Sequence, residues 1–272
     1  MRPPLHALAG LTLLAALVWI GLRAFEKALI FHPSREMIAH PGTVGLKWEP
    51  LTLVAGDGVR LRAWWIPGPK DDSPAMLCLH GNGGNLSNRT DKMRIFHDAG
   101  AAQLWVEWRG YGESGGSPDE PGLYRDALAG WAWLGAQGVP PGRLVFYGES
   151  LGNGPAIELA VRVPAAGLIV DSAFTSIPDM GRIVLPWFPA RLASIKFDNV
   201  GRLARTTIPT MILHSTEDDV IPYEMARRNL AACASARKSF VELKGSHNEG
   251  FLDSGAVYSN AIKGFLASLP KA

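Results

Sequence analysis

The sequence predicts an α/β fold: a mostly parallel, eight-stranded sheet flanked by helices. Three observations carry this. Short apolar runs recur along the chain, too short for helices and bounded by glycine, proline or polar residues. Stretches of helical character separate these runs from about residue 86 onward. The two leading runs flank Gly56-Asp57-Gly58, a hairpin signature. A hairpin followed by β–α alternation implies one sheet with helices on both faces.

The elements follow in order. Leu5–Leu22 is uncharged and apolar, and at about 1.5 Å per residue it is long enough to cross a bilayer core of about 30 Å. A secretory leader has a shorter apolar core and small residues before its cleavage site. Here the run continues into Gly21-Leu22-Arg23-Ala24-Phe25 without an A-x-A pattern. Residues 1–27 are therefore read as a single-pass N-terminal transmembrane anchor at a membrane, and residues 28–272 as the globular domain. Arg2 on one flank and Arg23 with Lys27 on the other leave the orientation open. Leu51–Val54 and Val59–Ile66 form the hairpin. Ala75–Leu79 is a strand buried on both faces, Leu86–Ala99 a helix, and Ala101–Trp108 a strand. Pro121–Ala136 is a helix with Leu123, Ala127, Leu128, Trp131 and Leu134 on one face. Strand Leu144–Tyr147, helix Gly154–Val163 and strand Gly167–Val170 follow. Ser172–Arg205, with Pro178, Pro186 and Pro189, reads as irregular and is the cap candidate. Strand Thr210–Leu213, helix Pro222–Ala232, strand Ser239–Leu243 and helix Ala256–Leu269 complete the chain.

Composition excludes several functions. The formal net charge is +2. It resides in residues 1–27, where Arg2, Arg23 and Lys27 stand against Glu26, so the domain is neutral and nucleic acid is excluded as the main partner. The mean hydropathy of +0.06 is likewise owed to the N-terminal segment. A chain of this size needs no disulfide staple. Of the two cysteines, Cys78 lies in an apolar run and reads as a buried thiol. No Cys/His set has metal-ligand spacing, and His32 and His40 are read as surface residues. No metal or other cofactor is expected.

The pattern G-x-S-x-G occurs twice. It matters because a nucleophilic serine sits on a tight strand-to-helix turn, where flanking glycines keep Oγ exposed. Gly112-Glu113-Ser114-Gly115-Gly116 runs on into Ser117-Pro118, so no helix starts there. Gly148-Glu149-Ser150-Leu151-Gly152 follows a strand directly and leads into a helix, which makes Ser150 the candidate nucleophile. Gly110-x-Gly112-x-x-Gly115 also fits a dinucleotide fingerprint, but it lacks the helix and acidic residue such a site needs. Only His214 and His247 lie beyond Ser150. His214 ends a strand and packs there. His247, in the loop Gly245-Ser246-His247-Asn248, is the candidate base. For the acid, Asp218 leads, with Asp219 beside it and Asp171 at the end of the preceding strand as alternatives. Oxyanion donors are the Leu151 amide and, in the turn His80-Gly81-Asn82-Gly83-Gly84-Asn85, that of Asn82. That turn lacks G-K-[ST] and is no P-loop.

Taken together these motifs resemble the α/β-hydrolase superfamily, and within it the membrane-anchored serine hydrolases. The resemblance rests on His80-Gly81-Asn82, Arg109–Gly115, Gly148–Gly152, Asp171-Ser172-Ala173-Phe174, Asp218-Asp219-Val220-Ile221-Pro222 and Gly245–Asn248, and it covers roughly residues 30–270. It implies Asp218 as the acid, because the family aspartate stands two positions before the valine. It implies a structural role for Arg109–Gly115. Ser215 departs from the pattern, since relatives usually have glycine there. The expected activity is hydrolysis of an ester or thioester, of a lipid or acylated substrate, through an acyl-enzyme on Ser150. A peptidase, amidase or small-ester hydrolase without lipid preference, and a catalytically silent membrane scaffold, are the rival readings. Oligomeric state is not legible.

Overall fold

A continuous apolar run of five residues is stable as a strand only where both faces are covered. The central strands meet that condition. A computed structural model describes residues 5–187 and 189–269, apart from the side chains of residues 5–9, 11 and 191. Helix α1 (Leu5–Ile30) leads, followed by β1 (Glu49–Val54), β2 (Arg60–Ile66), β3 (Ala75–Leu79), α2 (Thr90–Asp98) and β4 (Ala102–Val106). Then come α3 (Glu120–Ala136), β5 (Leu144–Glu149), α4 (Asn153–Arg162), β6 (Gly167–Asp171), α5 (Ile177–Val184) and α6 (Asn199–Leu203). The chain closes with β7 (Thr210–Ser215), α7 (Tyr223–Ala232), β8 (Lys238–Leu243), α8 (Gly250–Asp253) and α9 (Ala256–Ser268).

The strands form one 8-stranded sheet in the order β1-β2-β4-β3-β5-β6-β7-β8. The β1–β2 and β2–β4 pairs are antiparallel, and every pair from β4–β3 onward is parallel. Burial follows the alternation of side chains across the pleat. Ala75, Leu77 and Leu79 of β3 join a core under α3, α4, α6 and α7, while Met76 and Cys78 join a core under α2 and α9. Edge strands β1 and β8 remain largely exposed. Cys78 and Cys233 are buried free thiols.

One expectation needs correction, and another finds no support among the described residues. The 172–205 segment is not irregular throughout: α5 and α6 lie within it. Ser176 caps α5 by accepting the Asp179 amide, and Pro178 sits in the first turn, where no intrahelical N–H is required. Phe188, in the middle of the apolar stretch of this cap candidate, lies outside the described residues. Helix α1 runs beyond Leu22 and carries Arg23, Glu26 and Lys27 in its last two turns. Among the described residues, no helix is long and apolar enough to cross a membrane. The side chains that open the expected Leu5–Leu22 span lie outside the described set.

Candidate active site

The first site residue is positioned by backbone conformation. Ser150 stands immediately after β5 with φ +49°, a left-handed conformation that costs a non-glycine residue of order 1 kcal/mol or more. The two elbow glycines make the turn sterically feasible. A Cβ on Gly152 would lie 2.0 Å from the Leu79 carbonyl oxygen, and one on Gly148 would lie 2.6 Å from the Asn153 Cα. A single 3₁₀ turn, Ser150–Gly152, then leads into α4. Asn153 fastens the turn by donating to the carbonyls of Ser150 (3.0 Å) and Asp171 (2.7 Å).

The loops after β7 and β8 bring two further groups to Ser150. His247 Nε2 lies 3.0 Å from Ser150 Oγ, and His247 Nδ1 lies 2.8 Å from Asp218 Oδ2. The other Asp218 oxygen accepts the amides of Val220 and Ile221 at 2.9 and 2.7 Å. Burial raises the Asp218 pKa, but the hydrogen bond and charge of His247, with these two amides, outweigh it, and the carboxyl is held below its ordinary range. An ionised Asp218 keeps a proton on Nδ1 and leaves Nε2 able to accept one. His214, fully buried, donates from Nε2 to the Ile221 carbonyl at 3.0 Å and so braces the acid loop from beneath.

Three bonds stitch the acid loop to the histidine loop. Ser215 Oγ donates to the Gly245 carbonyl, Glu217 accepts the Gly245 amide at 2.9 Å, and Asp219 accepts the His247 amide at 2.9 Å. Asp219 therefore grips the backbone of His247 rather than its ring. Ser215, the departure from the family pattern, supplies a cross-link that glycine cannot make.

The remaining alternatives have other partners. Asp171 Oδ2 accepts from Tyr147 (2.7 Å), Tyr258 (2.8 Å) and Lys92 (3.2 Å), in a buried cluster beneath the elbow. Ser114 is buried, donating to the Glu107 carbonyl at 3.1 Å and accepting the Arg62 amide at 2.9 Å. Gly110–Gly115 is a turn closed by the Gly110 amide on the Gly115 carbonyl, with no helix opening from it. Among the described residues no group of three or more metal-ligating side chains converges.

Asn82 holds a second surprise. Its side chain accepts the His32 amide (3.0 Å) and the Tyr111 hydroxyl (2.7 Å), and donates to the Ile30 carbonyl. It thereby satisfies a carbonyl left open at the end of α1. The backbone of its loop lies against the elbow: a Cβ on Gly81 would be 3.4 Å from the Ser150 Cβ. Ser150, Leu151 and Asn82 line one cavity of about 470 Å³.

Glu149, which precedes Ser150, lies 3.2 Å from Arg89 and 3.3 Å from Lys92. Burial raises its pKa, but Arg89 and Lys92, followed by His80 and His247, hold it at about 2. The folded value lies below the unfolded one of about 4.3. The stabilisation is therefore complete above pH 5 and is lost as pH falls toward 2, amounting to roughly 3 kcal/mol. Glu149→Gln should flatten the dependence of the unfolding free energy on pH between 5 and 2. Parallel curves for the variant and wild type would contradict this.

No family model matches the chain. It is 31% identical over 265 residues to the alpha/beta hydrolase domain-containing protein WAV2 of Arabidopsis thaliana, a match covering 87% of this chain and 86% of that protein. It is 29% identical over 201 residues to the lysophosphatidylserine lipase ABHD12 of Rattus norvegicus, covering 65% of this chain and 50% of that one. The esterase Pf2001 of Pyrococcus furiosus superposes with a TM-score of 0.73 at 17% identity, covering 88% of this chain and 97% of that chain. At that identity the structural match speaks for the fold alone.

Proposed function

Because the chain belongs to the α/β-hydrolase family, we propose that it is a serine hydrolase acting on an ester or thioester of a lipid or acylated molecule. The supporting observation is the hydrogen-bonded series Ser150–His247–Asp218 opening onto a largely apolar cavity. In this reading Ser150 Oγ attacks the acyl carbonyl carbon as His247 Nε2 takes its proton. The oxyanion receives the amides of Asn82 and Leu151. Collapse breaks the C–O or C–S bond, and His247 returns the proton to the leaving alcohol or thiol. Water then attacks the acyl-enzyme, His247 takes its proton, and the acid departs with Ser150 restored.

The lipid preference and the membrane belong to the same proposal. Phe25, Phe174, Met180 and Leu192 line the cavity, and the relative from Rattus norvegicus is named for a lysophospholipid. Residues 1–27 act as the anchor and residues 28–272 as the catalytic domain. Leu13, Leu14, Leu17 and Val18 of α1 are 54–62% exposed.

A fluorophosphonate reagent followed by peptide mass spectrometry tests the enzyme reading. Label is expected on Ser150 in wild type and in Ser114→Ala. An unlabelled wild type, or label surviving Ser150→Ala, would refute it.

A further inference from the structure

The cavity at Ser150 has an unusual wall. Nearly a third of its lining is the last part of α1, the segment whose sequence speaks only of a membrane. Leu22, Phe25 and Leu29 of α1 line it together with Met180 and Val184 of α5 and with Leu192. Leu22, Glu26 and Leu29 follow the i, i+4, i+7 spacing of one helix face.

This wall is fixed in place at both ends. Glu26 accepts the Ser194 and Ile195 amides at 2.7 and 3.0 Å, and the Ser194 hydroxyl. Arg23 pairs with Glu26 at 2.8 Å and donates to the Leu192 carbonyl at 3.2 Å. At the other end the Asn82 side chain holds the Ile30 carbonyl and the His32 amide. Helix α1 is therefore bonded both to the cap and to the proposed oxyanion loop. A mere tether would need neither contact.

The α1 side of the lining points to where the ligand comes from. Trp19 is part of it, and the next residues toward the N-terminus are the exposed apolar ones. Val184 and Trp187 of the cap are also exposed, Trp187 at 73%. Exposed apolar residues of α1 and of the cap thus adjoin the cavity lining, and those of α1 continue into the proposed anchor.

We infer that α1 is one wall of an acyl-chain site. A single-chain ester of the bilayer slides along α1, lies between α1 and α5, and presents its carbonyl to Ser150. This rests on the hydrolase reading above and adds to it the wall that holds the acyl chain and the route the ligand takes. The anchor segment is then part of the specificity pocket.

The test uses the full-length chain in phosphatidylcholine vesicles, with nitrophenyl laurate and nitrophenyl acetate as substrates. Leu22→Trp and Leu29→Trp should each lower the laurate-to-acetate ratio of kcat/KM by about tenfold, since blocking part of an apolar pocket discriminates by chain length on that scale. Glu26→Ala should lower the same ratio by freeing the cap. Ala24→Trp, on the opposite face of the helix, should leave it within about twofold of wild type. Thermal unfolding of each variant checks that it is folded. Equal ratios in all four variants and wild type would overturn the inference. So would a wild type that cleaves acetate and not laurate, although the hydrolase reading would survive. A wild type that cleaves neither ester would remove the hydrolase reading itself.

Discussion

Ser150→Ala should lower kcat by about 10⁶-fold with little change in KM, the scale on which loss of a triad serine acts. The substitution removes the atom that would form the acyl bond and the proton that His247 would take, while leaving the rest of the cavity lining intact. Asp218→Asn should cost about 10⁴-fold, because an amide in place of the carboxylate can donate to Nδ1 and select the wrong tautomer. The Ser150→Ala/His247→Ala double variant should be no worse than either single one, since members of one proton-transfer chain fail together. Initial rates on a nitrophenyl ester, with the concentration of folded protein fixed by titration, measure all four. Single losses that multiply in the double variant would mean that Ser150 and His247 act separately, despite the 3.0 Å between them.

Which parts of this site were legible in the sequence follows from how local their cause is. The Ser150 elbow is written in adjacent residues, because two glycines and a preceding strand produce the turn. The strands β3 and β6 are continuous apolar runs and could be read directly. The prolines of 172–205 make α5 read as irregular chain, yet Ser176 before Pro178 and Asp179 after it are a helix start in plain view. Other features depend on residues brought together only by folding. Asp219 and Asp218 are neighbours of one chemical type. What separates them is that the first meets the His247 amide and the second its ring. Likewise, nothing in Leu5–Leu22 announces that its end and its continuation line the cavity, because lipid and an acyl chain select the same side chains.

Asp126→Ala should destabilise the domain by about 3–5 kcal/mol, the range for breaking a buried ion pair from one side. Asp126 is fully buried on α3. It accepts the Arg109 amide at 3.0 Å, Nε at 3.0 Å and Nη2 at 2.7 Å. Removing it leaves a buried guanidinium with one carboxylate, Asp57, whose side chain is 32% exposed. Asp57→Ala removes the wetter partner and should cost only about 1 kcal/mol. The order of the two matters more than either value. In a chain of this length the Asp126→Ala loss corresponds to a fall in Tm of roughly 10 °C. Denaturant unfolding of both variants decides the point, and an equal or larger loss in Asp57→Ala would invert the assignment. Replacing both Arg109 and Asp126 by apolar residues of similar volume should be milder than Asp126→Ala alone, because no charge is then stranded. The damage should also reach the site. Arg109 opens the loop that carries Tyr111, and the Tyr111 hydroxyl holds Asn82 at 2.7 Å. Folded Asp126→Ala should therefore lose kcat through a displaced Asn82 amide, with the Ser150–His247–Asp218 series untouched.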